Sequence, residues 1–223
     1  MNDFFAPAGR IQTVFVSAAL LFAVLFASCS SLRTTREMPA ETSAETPVET
    51  PPEQPAPAAP ELIMGKGLVN GKKLARFLTA QNPAADRAFA GDLAGFYIEE
   101  AAAEGVNHDV AFAQMCLETG CLRFGGLVTP DMNNFCGLGS TGPGHPGEIF
   151  DDPRTGVRAH IQHLKAYATT EPLRQPLVDP RYRYVRYGSS PEIGGLAGTW
   201  AADTAYAEKI RAILQRLYQS SFF

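Results

Sequence analysis

A mainly helical domain with a small lobe of short strands or ordered loops set into it, an α+β architecture, is what this sequence predicts. Three observations carry the prediction. Residues 92–119 show apolar side chains at helical spacing. Residues 124–153 then turn rich in Gly, Pro, Asn and Asp. Helical spacing returns over 155–169 and again over 204–219.

The chain begins with a segment that reads as targeting rather than fold. Arg10 precedes an uncharged apolar run over 11–26, too short for a confident membrane span and long enough for a signal-peptide core. The run ends in Leu25-Phe26-Ala27-Ser28-Cys29. Small residues directly before a cysteine resemble a bacterial lipobox, in which the cysteine is lipidated and becomes the first mature residue. Phe26 departs from the aliphatic residue usual there. The expectation is a signal peptide over 1–28, lipidation at Cys29 and a lipoprotein of the cell envelope facing the periplasm or cell wall, touching the membrane only through its lipid.

Residues 29–61 read as a tether. Glu, Thr, Pro and Ala dominate and large apolar side chains are almost absent, so no core offsets the entropy of ordering. Some thirty proline-rich residues at about 3 Å each reach roughly 90 Å from a membrane. Residues 30–61 hold two arginines and six glutamates, whereas 62–223 hold sixteen basic and sixteen acidic side chains. The net charge of −4 therefore sits on the tether. A neutral domain gives no reason to expect nucleic-acid binding, and the Arg181, Arg183, Arg186 cluster is too small to change that. Residues 62–223 have the length of one globular domain with a sizeable core.

Within the domain, Leu93, Phe96, Tyr97 and Ala101 form one stripe of a helix over 92–104, with Glu99, Glu100 and Glu104 off the stripe. Gly105 stops it and Asn107 caps the next helix, 108–119, which Gly120 ends. Val157, Ile161, Leu164 and Ala168 mark the helix after the lobe. Ile210, Ile213, Leu214 and Leu217 mark the last one.

Glu118 is the residue with chemistry in it. A carboxylate at a helix C-terminus faces the negative end of the dipole, which disfavours its ionised form, and partial burial acts in the same direction. A carboxyl group held protonated near neutral pH suits general-acid cleavage of a glycosidic bond. The alternative is an ordinary solvent-facing helix-end glutamate.

Four motifs then occur in order. They are Asn107-His108-Asp109-Val110-Ala111-Phe112-Ala113-Gln114-Met115-Cys116-Leu117-Glu118-Thr119-Gly120, Asn133-Asn134-Phe135-Cys136-Gly137-Leu138-Gly139, Gly156-Val157-Arg158-Ala159-His160-Ile161-Gln162-His163-Leu164-Lys165-Ala166-Tyr167 and Leu196-Ala197-Gly198-Thr199-Trp200-Ala201-Ala202-Asp203-Thr204-Ala205-Tyr206. Together they resemble the bacterial peptidoglycan glucosaminidases, whose domain is of the mannosyl-glycoprotein endo-beta-N-acetylglucosaminidase type, over most of residues 75–218. The resemblance implies a lysozyme-like helical domain with a small β-lobe flanking a cleft. It implies hydrolysis of the β-1,4 bond after N-acetylglucosamine in peptidoglycan glycan strands, with Glu118 as the acid.

The second catalytic group stays open. Glu148 is the candidate from the lobe, with Asp151 and Asp152 as competitors; alternatively the substrate's 2-acetamido group assists. The resemblance places Tyr206 near the cleft, where its phenol would orient the acid or contact the sugar. Asn134 and Phe135 are expected to shape the cleft floor, and Trp200 to offer a stacking face or to be buried. No cofactor and no metal are expected: His160 and His163 share one side of a helix, but no Cys or Asp nearby completes a ligand set. Cys116, Cys121 and Cys136 form an odd set. A bridge between Cys116 and Cys136 would pin the cleft, and sequence does not fix the pairing. Two other functions remain in view, a lytic transglycosylase and a non-catalytic peptidoglycan-binding lipoprotein. The usual Glu-Ser and Gly-Leu-Met-Gln patterns of the former are absent, Glu118-Thr119-Gly120 and Gly137-Leu138-Gly139 standing there instead.

Overall fold

The computed structural model describes residues 57–222, excluding the side chain of Phe222. The chain divides into units 1–51 and 52–223, and the described residues all lie in the second. The signal peptide, Cys29 and most of the tether fall outside them.

Among the described residues five α-helices build the domain: α1 Gly71–Gln81, α2 Arg87–Glu104, α3 His108–Thr119, α4 Pro153–Ala168 and α5 Tyr206–Phe222. Helix α2 packs on α1, α3 and α4, and α5 packs on α3 and α1. Leu74, Leu93, Tyr97, Phe112, Met115, Ile161, Leu164 and Leu214 are fully buried where these faces meet. The α3 boundaries are those its sequence predicts. Asn107 caps it by accepting from the Asp109 and Val110 amides, and Gly120 closes it in the left-handed conformation. Helix α2 starts earlier than expected, at Arg87, because Asp86 caps it by accepting from the Phe89 amide. Its first turns carry Gly91, which hides the period. Helix α1 is not among the elements the sequence predicts, although Asn70 caps it and Leu74, Phe77 and Leu78 form its buried face.

Glu100 and Glu104 lie off the apolar stripe of α2 but not in solvent. Both are buried. Glu104 pairs with Lys165 at 2.8 Å, with neither side chain exposed. It also accepts the Arg174 and Gln175 amides, which fastens the loop after α4. Glu100 takes Arg154, Arg158 and Gln175. Cations on α4 thus satisfy acids on α2, and that pairing lets them be buried.

The lobe between α3 and α4 is made of ordered turns. Among the described residues it carries a 3-10 turn at Pro130–Met132 and one isolated antiparallel bridge, Gly142 with His145, rather than paired strands. Its entry is a left-handed run: Gly120, Cys121, Leu122 and Phe124 all have positive φ, between 54° and 59° except Leu122 at 63°. Such a backbone costs energy for residues other than glycine. Here the Thr119 hydroxyl takes the Leu122 amide and the Asn82 amide group holds the Cys121 carbonyl. The lobe is pressed onto α4 at Gly156, where an added Cβ would lie 1.8 Å from the Asn133 carbonyl oxygen. No other residue fits that crossing.

The end of the tether is already part of the domain. Glu61 pairs with Arg211 of α5 at 2.7 Å, and Ile63 is fully buried between bridges from Leu62 to Glu192 and from Met64 to Val106.

Candidate active site

Glu118 stands in the last turn of α3, where the left-handed turn at Gly120 swings the chain into the lobe. Its side chain is open to the cleft, while the fold closes around the carboxyl from below. The Tyr206 hydroxyl donates to Oε1, and the Trp200 indole N–H donates to the same oxygen at 3.1 Å. Oε2 is turned the other way. It lies 3.9 Å from where a Cβ on Gly137 would sit, and Gly137 is left-handed at φ 68°. Burial pushes the Glu118 carboxyl above the usual carboxylate range, although the hydrogen bonds from Tyr206 and Trp200 pull the other way. The direction is the one a general acid needs, with burial as its leading cause.

Two cavities lie at this end of α3. One, of about 140 Å³, runs along Glu118, Phe124, Leu127, Val128 and Gly137. The other, of about 230 Å³, is walled by Gly137, Ser140, Tyr167, Arg181, Tyr184 and Trp200. Gly137 lines both cavities and Glu118 the smaller one, so the carboxyl opens on a groove at their shared wall.

The other predicted residues fall into three groups. Tyr206 and Trp200 are at the acid. Tyr206 is 4% exposed, and its hydroxyl meets the Glu118 carboxyl from the core side. Trp200 is held by His163 at 5.1 Å and by Tyr167 at 5.5 Å between ring centroids, and His163 is itself fixed by Asp179 at 2.7 Å. Asn134 lines the smaller cavity, but its polar atoms are committed to the lobe. Nδ2 donates to the Leu138 and Glu148 carbonyls, and Oδ1 accepts the Leu138 amide. It latches the lobe loop under the smaller cavity. Phe135 does not reach the cleft: it is 1% exposed and sits in the core near Phe89, because the left-handed turn at Asn133 aims it inward.

Glu148 folds its carboxyl over Gly139, within 2.8 Å of that residue's Cβ position, and is on the wall of neither cavity. Asp152 is occupied as the cap of α4, accepting the Thr155 amide and hydroxyl. Cys116, Cys121 and Cys136 are all free thiols. Cys116 and Cys121 instead face each other across the end of α3, where the Cys121 amide closes on the Cys116 carbonyl at 2.8 Å. Among the described residues no group of His, Cys, Asp or Glu is arranged to hold a metal.

Three buried residues at the back of the site were not singled out from sequence for this role. Gln114 donates to the Tyr206 hydroxyl at 2.9 Å, His160 Nε2 meets Gln114 Oε1 at 3.0 Å, and Tyr97 meets His160 Nδ1 at 2.9 Å. The signal was present for Gln114 alone: it lies one helical turn before Glu118, on the same face.

The family model for mannosyl-glycoprotein endo-beta-N-acetylglucosaminidase matches residues 94–219. An uncharacterized protein of Borreliella burgdorferi is 40% identical over 157 residues, covering 70% of this chain and 77% of the relative. A crystal structure of S. aureus autolysin E in complex with the muropeptide NAM-L-Ala-D-iGlu is 13% identical, covers 71% of each chain and superposes with a TM-score of 0.45. From the family match, which spans every element that builds the site, the chain belongs to the mannosyl-glycoprotein endo-beta-N-acetylglucosaminidase (Glucosaminidase) family.

Proposed function

We propose that this protein hydrolyses the β-1,4 bond after N-acetylglucosamine in peptidoglycan glycan strands, with Glu118 as general acid. Family membership supports a glycosidase. The observation that carries the acid assignment is the Glu118 carboxyl on the wall of the groove, held at Oε1 by Tyr206 and Trp200; burial, which raises its pKa, supports it. A strand lying in the groove brings its glycosidic oxygen to Oε2. Glu118 transfers its proton to that oxygen, the C1–O bond breaks, and the leaving sugar departs as an alcohol. Water then adds to C1, and its proton restores the carboxyl.

The second half of the reaction falls to the substrate's 2-acetamido group rather than to Glu148. Among the described residues neither cavity wall carries an acid besides Glu118. An acetamido oxygen attacking C1 from the opposite face makes a second carboxylate unnecessary. Product analysis tests the reading: peptidoglycan digested by the protein, then reduced with borohydride, yields N-acetylglucosaminitol ends. Anhydromuramyl ends in their place would make it a lytic transglycosylase.

A further inference from the structure

We infer that Tyr97, His160 and Gln114 form a one-way hydrogen-bond relay that fixes the Tyr206 hydroxyl as a donor to Oε1 of Glu118 and so leaves the transferable proton on Oε2, facing the groove. The inference deepens the proposed role of Glu118 and rests on it for its catalytic meaning.

The direction follows from what each group is able to do. An indole N–H is a donor only. Trp200 therefore makes Oε1 an acceptor, and the hydroxyl oxygen of a carboxylic acid is a poor one. Oε1 is the carbonyl-type oxygen, and the proton belongs on Oε2. Tyr206 must then donate to Oε1, and its own oxygen is free to accept. Gln114 supplies that donor through Nε2 at 2.9 Å, which turns its Oε1 to His160. An amide oxygen only accepts, so His160 Nε2 carries hydrogen, at 3.0 Å. Its Nδ1 then accepts from the Tyr97 hydroxyl at 2.9 Å. Four bonds in series all point toward Glu118.

The surroundings keep the relay in this state. Tyr97, Gln114 and His160 are fully buried, on α2, α3 and α4, and Tyr206 opens α5. Burial shields these bonds from bulk solvent, and hydrogen bonds in a chain polarise one another. Burial, with His163 as a smaller cause, pulls His160 down to about 3, so the ring is neutral at working pH. Around the Glu118 carboxyl the titratable groups are Tyr206 from α5 and Cys136 from the lobe. Burial raises both, so both stay neutral. Four packed helices thus set the orientation of one carboxyl. Gln114, His160 and Tyr97 are positioning residues, since they act through Tyr206.

The test is made on the full chain without substrate. ¹⁵N spectra of histidine-labelled protein, with His160→Gln to assign the signal, should show His160 as the neutral Nε2–H tautomer from pH 5 to 8. The Nδ1–H tautomer or an imidazolium in that range overturns the relay. The ¹³C carboxyl signal of Glu118, assigned with Glu118→Gln, gives its titration midpoint. A charge-assisted hydrogen bond favours the ionised form, so Tyr206→Phe should raise the midpoint by about one pH unit. Gln114→Met should raise it by a fraction of that in the wild-type background and by nothing further in Tyr206→Phe. A Gln114→Met shift that persists undiminished without the Tyr206 hydroxyl shows that Gln114 does not act through it. Should Gln114→Met fail to fold, the tautomer measurement still decides. Neither readout uses peptidoglycan. A wrong tautomer leaves Glu118 standing as the acid, and inactivity on peptidoglycan leaves the relay standing.

Discussion

Tyr206, the first residue of α5, donates a hydrogen bond from its hydroxyl to Glu118, in the last turn of α3. Two elements separated by the whole lobe and α4 therefore meet on one carboxyl oxygen. Because Tyr206 is 4% exposed, we propose that it serves the acid rather than the sugar. Tyr206→Phe should lower kcat by about tenfold, the value of one lost hydrogen bond to a charged group, and leave KM within twofold. Its alkaline limb should move to higher pH, since the bond it removes favours ionisation. Steady-state kinetics from pH 5 to 9 check this. A large rise in KM would mean that the phenol contacts substrate.

The same carboxyl has a signature in stability. Folding raises its pKa above the roughly 4.3 of an unfolded glutamate. Its favourable contribution is thus complete below that value and fades as pH rises through the folded pKa. Glu118→Gln cannot ionise and keeps an acceptor oxygen for Tyr206 and Trp200. Its melting temperature should equal the wild type's near pH 4 and exceed it by pH 8. A difference constant with pH would contradict a raised pKa.

Lys165 and Glu104 make a stability prediction of another kind. Removing the cation leaves a carboxylate at 0% exposure with only two backbone amides. Lys165→Met should cost about 3–5 kcal/mol in urea unfolding. A loss under 1 kcal/mol would mean that water reaches Glu104.

The thiols differ in reactivity. Cys121, half-buried, is pulled down to about 7, first by a hydrogen bond from Cys116 and then by Arg123 and Arg216, against the effect of burial. Burial raises Cys116 and Cys136. Limited iodoacetamide labelling at pH 7.5, read by mass spectrometry of peptides, should modify Cys121 first of the three. Earlier labelling of Cys136 would mean that the lobe opens.

Much of this was legible in the sequence where local physics decides. Asn107 and Gly120 bound α3 because caps and left-handed glycines act over a few residues. Glu118 stood out for the same reason: helix end, apolar flank and glycine are all local. Long-range pairing was not legible. Glu100 and Glu104 look like surface acids until Arg158 and Lys165 arrive from α4, more than fifty residues on. Phe135 reads as a cleft aromatic until the backbone at Asn133 turns it into the core. The partners of the α4 histidines were equally out of reach: His160 is taken by Tyr97 and Gln114 and His163 by Asp179. Helix α1 was missed because its buried face is only three residues long and begins among two lysines and a glycine.

The central claim is that the Glu118 proton breaks the glycosidic bond. The most direct measurement is turnover of purified peptidoglycan by Glu118→Gln, with folding confirmed by its melting curve. The replacement is nearly isosteric and removes only the transferable proton, which general-acid catalysis values at roughly 10²–10⁴-fold. The account predicts a folded variant with activity reduced by at least that order and no alkaline limb. A folded Glu118→Gln that turns over peptidoglycan at a near-wild-type rate would contradict it.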